Sequence, residues 1–263
     1  MDVTLLGTGA SDGWPNAWCG CASCADQRRR EARTPTCAAV DGRLLLDAGP
    51  EMPRQALRAG LDLAAVEVVA ITHAHDDHCH PSFLMHRSWV TDRPLTVLGP
   101  APVIEACRPW LAPDQEVVRF VELTAGDEIE VAGYRIRAVR ANHHAHGEAL
   151  NWAISDGSAS LLYATDTGPW LPGARAALAG WRFDALLLEE TFGIVDRKVP
   201  QHHNLESFAA AVADLRAWGN LAPEGRVVAI HLGHDNPPEP ELRRRLAELE
   251  AECHPDLTSF SVG

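Results

Sequence analysis

The sequence predicts a layered α/β fold, because short apolar segments alternate with segments of helical periodicity along its 263 residues. Hydrophobic residues make up 46% of the chain and charged residues 22%, which is the composition of an ordinary globular protein with a buried core. Four apolar segments end in residues that commonly bind metals, namely His73, His143, Asp166 and His231. Because sites in layered α/β proteins lie where strands end, these four ends predict one common site.

The first half of the chain is predicted to begin with a buried strand at residues 3–9, which ends in a glycine turn. A β-hairpin follows at residues 38–47, since the turn Asp41-Gly42 separates two apolar segments. The next predicted elements, in order, are a helix at 53–59, a strand at 66–72, a helix at 81–90, a strand at 96–99 and a helix at 103–111 that Pro109 interrupts.

The second half is predicted to consist mainly of strands, each a short apolar run bounded by turn residues. The predicted strands lie at residues 117–123, 127–131, 134–140, 152–155, 160–164, 185–188 and 227–230. Two longer segments, at residues 205–218 and 240–252, have apolar residues at helical spacing and are predicted to be helices.

The strand at 66–72 leads directly into residues 73–78, which follow the pattern H-x-H-x-D-H. His73 and His75 are two positions apart, so no helix would place both on one face. A loop at a strand end can direct both imidazoles to one point and bring Asp77 and His78 to a second point beside it. Zinc and related ions accept imidazole and carboxylate ligands. The segment therefore predicts a metal centre rather than a solvated polar loop.

Three of the seven cysteines are close together, at Cys19, Cys21 and Cys24. In an intracellular protein such spacing favours metal binding over disulfide formation. A tetrahedral structural zinc site needs a fourth ligand, and no neighbouring residue offers one, so the partner must come from elsewhere in the fold. The alternative is that the three cysteines remain reduced in a loop.

The formal net charge of −13 argues against a partner that is bound mainly through its phosphates, such as a long nucleic acid. It does not exclude a small phosphate ester held by a metal, because a bound dication is often the largest local charge in a site. The N-terminal segment lacks the pattern of a signal peptide, and no apolar run reaches transmembrane length. We therefore expect a cytoplasmic protein that does not associate with membranes.

Taken together, these motifs resemble those of the metallo-β-lactamase superfamily over essentially the whole chain. The shared features are H-x-H-x-D-H at 73–78, a later histidine after a strand, the aspartate in residues 165–168 and a final histidine at position 231. The C-x-C-x-x-C element after a Gly-Thr-Gly start, together with H-x-x-H near the C-terminus, most resembles one branch of the superfamily. That branch holds the phosphoribosyl cyclic phosphodiesterase of the carbon–phosphorus lyase pathway, with the pyrroloquinoline-quinone B protein as a relative.

The resemblance implies a four-layer αββα sandwich, formed by residues 1–263 as a single domain with a structural-zinc loop around 19–24. It also implies a homodimer and two active-site metals. The implied ligands are His73, His75 and His143 for the first metal, Asp77, His78 and His231 for the second, Asp166 as a bridge, and Cys19, Cys21, Cys24 and His234 for the structural zinc.

The resemblance also implies catalytic roles for Asp77, Asp166 and His202. Neighbouring histidines leave two assignments open, between His143 and His144 for the ligand and between His202 and His203 for the catalytic residue. His143 is preferred because it follows an asparagine, as in the related diesterase, and His202 occupies the matching place in its segment. Candidate substrate contacts are His144, His146 and His203.

The implied function is hydrolysis of a small cyclic or linear phosphodiester by a hydroxide that bridges two divalent metals. Zn²⁺ and Mn²⁺ are the candidate metals, with Fe²⁺ as a third. His202 would protonate the leaving oxygen.

A lactonase or thioesterase could use the same residues, and maturation of precursor tRNA is a further activity of the superfamily that the acidic charge disfavours. A quinone-pathway accessory protein that binds metals without hydrolysis is the non-enzymatic alternative. Lost ligands would indicate it, and none is lost here.

Overall fold

The computed structural model describes residues 1–143 and 147–263. Its strands are β1 (Asp2–Gly7), β2 (Cys37–Val40), β3 (Leu44–Leu46), β4 (Val68–Ala70), β5 (Leu95–Gly99), β6 (Val118–Glu122), β7 (Glu128–Val131), β8 (Tyr134–Arg140), β9 (Leu150–Ser155), β10 (Ser160–Ala164), β11 (Phe183–Glu189), β12 (Leu221–Ile230) and β13 (Ser259–Ser261). Its α-helices are α1 (Ala22–Gln27), α2 (Met52–Arg58), α3 (Ser82–Ser88), α4 (Ala101–Cys107), α5 (Ala174–Ala177), α6 (Leu205–Trp218) and α7 (Glu239–Glu248). Short 3₁₀ turns occur at Leu63–Ala65 and Arg108–Trp110. No helix in the described ranges has the length and apolar character needed to cross a bilayer.

The strands form two mixed sheets. The first has seven strands in the order β13-β1-β2-β3-β4-β5-β6, and the second has six in the order β12-β11-β10-β9-β8-β7. In the first sheet the neighbours from β3 to β6 are parallel, and in the second the neighbours from β10 to β12 are parallel. The remaining neighbouring strands pair antiparallel.

The two sheets pack face to face through alternate side chains of their strands. In β3, Leu44 and Leu46 join the core between the sheets, whereas Leu45 joins a second core with residues of α2, α3 and α4. In β11, Leu187 points between the sheets, while the flanking Leu186 and Leu188 pack with residues of α6 and α7. Strands buried on both faces explain why these segments are continuously apolar in the sequence. The expected αββα sandwich is confirmed.

Most of the predicted elements are confirmed, with α6 at its predicted bounds. Asn204 accepts a hydrogen bond from the N–H of Ser207 in a capping box, and Gly219 ends the helix with φ of 78°. Helix α7 ends earlier than predicted, at Glu248, and β12 begins earlier, at Leu221. The sequence analysis missed α1, α5 and β13, which have 6, 4 and 3 residues and therefore carry no detectable period.

Strand direction brings the metal-type residues to one edge of the sandwich. β8 runs in the same direction as β10, because two antiparallel pairings separate them, and β10, β11 and β12 are parallel. In the first sheet, β3 and β4 are also parallel. The segments that follow the carboxyl ends of these six strands supply the side chains of the site described below, as expected for parallel strands.

Replacing Leu187 with alanine tests the packing between the sheets. Leu187 has no exposed surface and lies in the shared core, so Leu187→Ala should lower the free energy of unfolding by about 2–5 kcal/mol. Urea titration followed by circular dichroism would measure this change. Leu57, which is 75% exposed on α2, is the matched control, and Leu57→Ala should change stability by less than about 0.5 kcal/mol. Similar losses in both variants would contradict the described core.

Candidate metal centre

Two clusters of possible metal ligands lie side by side at this edge. In the first, single ligand atoms of His73, His75, His143 and Asp166 all lie within 4.8 Å of one another. Nε2 of His73 is 2.9 Å from Nδ1 of His75, and Nε2 of His143 is 3.3 Å from the same atom. Three imidazoles and a carboxylate therefore converge on one point.

The second cluster consists of Asp77, His78 and His231, whose ligand atoms satisfy the same 4.8 Å limit. Nε2 of His78 is 3.0 Å from Oδ2 of Asp77, and Nε2 of His231 is 3.6 Å from that oxygen. The strand-end loop thus divides the H-x-H-x-D-H motif between two points, His73 and His75 at one and Asp77 and His78 at the other.

Asp166 lies between the clusters and presents a different oxygen to each. Its Oδ2 is 2.8 Å from Nε2 of His78 and 3.1 Å from Nε2 of His231. Its Oδ1 is 3.7 Å from Nε2 of His143. The carboxylate can therefore contribute one oxygen to each of two adjacent ions.

Several buried atoms in these clusters are close to one another without being hydrogen-bonded. Oδ2 of Asp77 and Nε2 of both His78 and His231 are buried and make no hydrogen bond, although Oδ2 of Asp166 is near both imidazole nitrogens. Unsatisfied buried polar atoms are costly. These atoms lie within 4.8 Å of one another, close enough to share one metal ion. The donor set of imidazoles and carboxylates suits Zn²⁺, Mn²⁺ or Fe²⁺.

Asp47, which the sequence analysis did not select, holds the ligands of the first sheet. Its fully buried carboxylate accepts hydrogen bonds from the Thr72 backbone N–H at 2.7 Å and from the Tyr163 hydroxyl at 2.9 Å. Nδ1 of His78 is 2.7 Å from Oδ2 of Asp47, so an Nδ1–H donor leaves Nε2 free for a metal. Through the Thr72 hydroxyl, Asp47 also supports Nδ1 of His73. Its position directly after an apolar strand was the signal available in the sequence.

Glu189 has the corresponding role in the second sheet. It is fully buried at the end of β11 and accepts hydrogen bonds from the backbone N–H of Thr167, at 3.1 Å, and from the Thr191 hydroxyl. Thr191 Oγ1 is in turn 2.9 Å from Nδ1 of His231. Nδ1 of His202 is 3.1 Å from Oε1 of Glu189. One carboxylate thus orients a candidate metal ligand and a candidate catalytic histidine.

The structure separates the two adjacent histidines at 202 and 203. His202 faces the clusters, with Nε2 4.0 Å from Oδ1 of Asp166 and its ring stacked on that of His231. His203 has no exposed surface and its Nδ1 is 3.0 Å from the Ser207 hydroxyl at the start of α6. From there, His203 could contact a substrate only if the start of α6 moved.

The electrostatic environment gives His73, His143 and His202 different pKa values. Burial lowers the pKa of His73 and brings the pKa of His143 to about 4, so both imidazoles are neutral and available as ligands at neutral pH. Burial opposes protonation of His202 as well, but the charge of Glu189, the hydrogen bond to it and the charge of Asp166 together outweigh burial and raise the pKa of His202 to about 9. Of the three, His202 is the one suited to donate a proton.

Three residues at the site adopt the left-handed backbone region that side chains other than glycine rarely occupy. They are Asp47 with φ of 65°, Asp166 with φ of 45° and His231 with φ of 56°. Each follows the carboxyl end of a strand, β3, β10 and β12 respectively. The strain turns each side chain toward the clusters, and strained backbone of this kind is concentrated at functional sites.

The three clustered cysteines meet a fourth ligand from a distant part of the chain. Ligand atoms of Cys19, Cys21, Cys24 and His234 lie within 4.8 Å of one another. The thiol of Cys21 accepts the N–H of Cys24 at 3.4 Å, which places both sulfurs at the start of α1. Three sulfurs and one imidazole are the donors of a tetrahedral structural zinc site, so the residues fit this metal.

A cavity of about 390 Å³ opens onto the ligand clusters. Its lining includes His75, Asp77, His143, Asp166, His202 and His231, together with Ser11, Asp12 and Arg197. The candidate substrate contacts His144 and His146 lie outside the described residues. The cavity therefore gives a substrate access to both clusters and to His202.

Comparison with known proteins gives a family and several relatives. The sequence profile of the family described as Beta-lactamase superfamily domain matches residues 42–232. Ribonuclease Z of Mycobacterium bovis is 26% identical over 275 residues, covering 95% of this chain and 92% of that protein. An octanoyltransferase of Porphyromonas gingivalis is 38% identical over 82 residues, which represent 30% of this chain but 16% of that protein.

Solved structures with the same fold include Zn²⁺-bound PqqB from Methylobacterium extorquens, with a TM-score of 0.79, 21% identity and coverage of 100% of both chains. A diphosphatase from the PhnP family has a TM-score of 0.75 and 21% identity, and the match covers 100% of this chain and 98% of that one. At these identities the likeness shows a shared fold.

Variants of the cysteine cluster test its fourth ligand. Cys21→Ser and His234→Ala should each remove one zinc per chain and lower the thermal unfolding temperature, because structural zinc contributes directly to folding free energy. Plasma mass spectrometry and calorimetry would measure the two effects. Cys253, buried outside the cluster, provides the control, and Cys253→Ser should keep its zinc. Undiminished zinc in both cluster variants would rule out the four-ligand site.

Proposed function

The chain belongs to the β-lactamase superfamily, and on that premise we propose that it is a metal-dependent phosphodiesterase acting on a small cyclic or linear phosphodiester. The observation that carries this proposal is the position of Asp166, which offers one oxygen to each of two ligand clusters. The names of the relatives support the same class of chemistry, since they include ribonuclease Z and a PhnP-family diphosphatase.

In this proposal the two clusters hold a pair of divalent cations, Zn²⁺ or Mn²⁺ with Fe²⁺ as a further candidate. When bound, such a pair supplies a water of lowered pKa as nucleophile and positive charge that stabilises the anionic transition state. His73, His75 and His143 would hold one cation and Asp77, His78 and His231 the other, and Asp166 would offer one oxygen to each. Asp47 and Glu189 keep the imidazole rings in the orientation that binding requires.

His202 is proposed as the proton donor to the leaving oxygen. Nδ1 of His202 faces Glu189, so in the imidazolium form the second proton lies on Nε2, which faces Asp166. The His202 side chain is 17% exposed, so a substrate can reach Nε2. Glu189 stabilises the positive charge of the imidazolium. Protonation of the leaving oxygen increases the rate of hydrolysis more for a poor leaving group than for a good one.

The size and charge of the cleft favour a small substrate. A cavity of about 390 Å³ holds a metabolite-sized molecule. Arg197 is the one arginine or lysine that lines it among the described residues, whereas a polynucleotide would need many phosphate contacts. Because the protein has a formal net charge of −13, the metals are needed to attract the negatively charged reacting phosphate.

A nuclease is the second candidate, because relatives named ribonuclease Z match over nearly the whole chain. Incubation with a 3′-extended precursor tRNA, in parallel with small diesters, distinguishes the two candidates. Cleavage of the tRNA at a rate comparable to that of the small diesters would favour the nuclease. The accessory-protein alternative predicts metal binding with hydrolysis of neither, and the retained ligand set disfavours it.

Replacing Asp166 tests the shared ligand. Asp166→Asn should lower kcat/KM for bis(p-nitrophenyl) phosphate by more than about 100-fold, because the amide cannot supply a negatively charged oxygen to both clusters. Circular dichroism should show an unchanged fold. Asp76 belongs to the same motif but is 81% exposed, so Asp76→Asn is the control and should keep its activity. Full turnover by Asp166→Asn with two bound metals would count against the bridging role.

Replacing His202 tests the proton donor through the leaving group. His202→Ala should lower hydrolysis of methyl phenyl phosphate by about 10²–10⁴-fold but affect methyl 4-nitrophenyl phosphate much less, since nitrophenolate leaves without a proton. His203→Gln is the comparison, and any loss there should be equal for the two substrates because His203 faces Ser207. Equal losses for both substrates in His202→Ala would contradict the assignment.

A further inference from the structure

A second cavity, of about 620 Å³, adjoins the metal cavity on the side of His202. Both cavities are lined by Phe192, Arg197, Val199 and His202, so they adjoin along these four residues. The wall they share is the segment 192–200, which connects β11 to the start of α6. The larger cavity has no residue of the two ligand clusters in its lining, so it has no part in holding the metals.

The position of His202 indicates on which side of the metal cavity the leaving group lies. His202 faces the metal clusters on one side and lines the larger cavity on the other. The group that it protonates is the leaving group, which must therefore lie near its Nε2. A leaving group too large for the metal cavity extends past His202 into the space walled by Phe192, Val195 and Val199.

Two cations lie side by side on this wall in an otherwise acidic protein. Lys198 is the single lysine of the 263-residue chain, and it lines the larger cavity next to Arg197. Its backbone adopts a left-handed conformation with φ of 51°, which a lysine rarely does. Within the described ranges, no ion pair engages its ammonium group.

The acidic residues of the larger cavity are already engaged in other interactions. Oδ1 of Asp196 accepts the backbone N–H of Lys198 at 2.9 Å. Glu206 lies in the first turn of α6, where the partial positive charge of the helix N-terminus offsets its charge. The Lys198 ammonium and the N–H groups of Arg197 that Asp235 does not accept therefore remain available to an incoming anion.

Arg197 is held in place by a carboxylate. Its Nε and Nη2 donate to Oδ2 and Oδ1 of Asp235 at 2.5 and 2.7 Å. Asp235 directly follows His234, a member of the cysteine cluster. The cysteine cluster therefore anchors the Arg197–Asp235 ion pair. The N–H groups of Nη1 point to no acceptor among the described residues, and the side chain is 47% exposed. The bidentate pair fixes the guanidinium and leaves the Nη1 groups able to donate to a second anion.

We propose that the cavity beyond His202 is the leaving-group subsite and that Arg197 and Lys198 bind an anionic group carried by the leaving half of the substrate. The inference rests on the proposed phosphodiesterase function and narrows it. The preferred substrate is then a linear diester whose leaving alcohol bears a carboxylate or a phosphate, and Arg197 and Lys198 determine this specificity.

Binding of two phosphonates tests the subsite independently of turnover. Methyl benzylphosphonate and its 3-carboxybenzyl counterpart have a P–C bond in place of the P–O bond to the leaving group, so the protein cannot cleave it. They carry the same charge at phosphorus and differ in the anionic group on the leaving side. Isothermal titration calorimetry with the metal-loaded protein should show about tenfold tighter binding of the carboxylated ligand. Arg197→Gln and Lys198→Gln should each reduce this preference, and the double variant should abolish it. Arg54→Gln, which removes an exposed arginine of α2, should leave it unchanged.

Equal affinity of the wild-type protein for the two phosphonates, or binding of neither at millimolar concentration, would overturn the subsite. A preference that persists in the double variant would also overturn it. The proposed function is tested separately, by hydrolysis of methyl 4-nitrophenyl phosphate. If the wild-type protein cleaves this diester but shows no preference between the phosphonates, the proposed function is supported and the proposed subsite is contradicted.

Discussion

Two buried carboxylates, Asp47 in the first sheet and Glu189 in the second, fix the imidazole rings on which the site depends. A carboxylate buried without partners costs several kcal/mol, so each must be satisfied by hydrogen bonds. The groups that satisfy them belong to the site itself: His78 and the hydroxyl of Thr72 for Asp47, and His202 and the hydroxyl of Thr191 for Glu189. The interactions that make these charges tolerable in the core therefore also set the ligand geometry.

The architecture explains why such strain and burial are tolerated at this edge. The left-handed conformations of Asp47, Asp166 and His231 cost about 1–3 kcal/mol each, and the apolar cores on both faces of each sheet stabilise the fold against that cost. Because strand ends from both sheets meet here, side chains distant in sequence can point to two adjacent centres. The site is thus a property of how the two sheets pack, and the loops alone could not form it.

The sequence predicts this architecture well where the determinants are local. Residues 205–218 carry a helical period, a cap and a terminal glycine, and α6 has those bounds. The H-x-H-x-D-H motif at 73–78 likewise indicates metal binding without any knowledge of the fold. Asp47 was missed because its role depends on contact with Tyr163 and His78, which lie in other strands or loops. The choice between His202 and His203 similarly required the position of α6 relative to Glu189.

Anomalous diffraction from zinc-loaded crystals tests the central claim, that Asp166 joins two metal ions, most directly. Besides the peak expected at the cysteine cluster, we expect two peaks about 3.5–4 Å apart at this site. One should lie beside Oδ1 of Asp166 with His73, His75 and His143, and the other beside Oδ2 with Asp77, His78 and His231. Data collected on both sides of the zinc absorption edge would identify the element. A single peak between the clusters, or two peaks that share no ligand, would contradict the account.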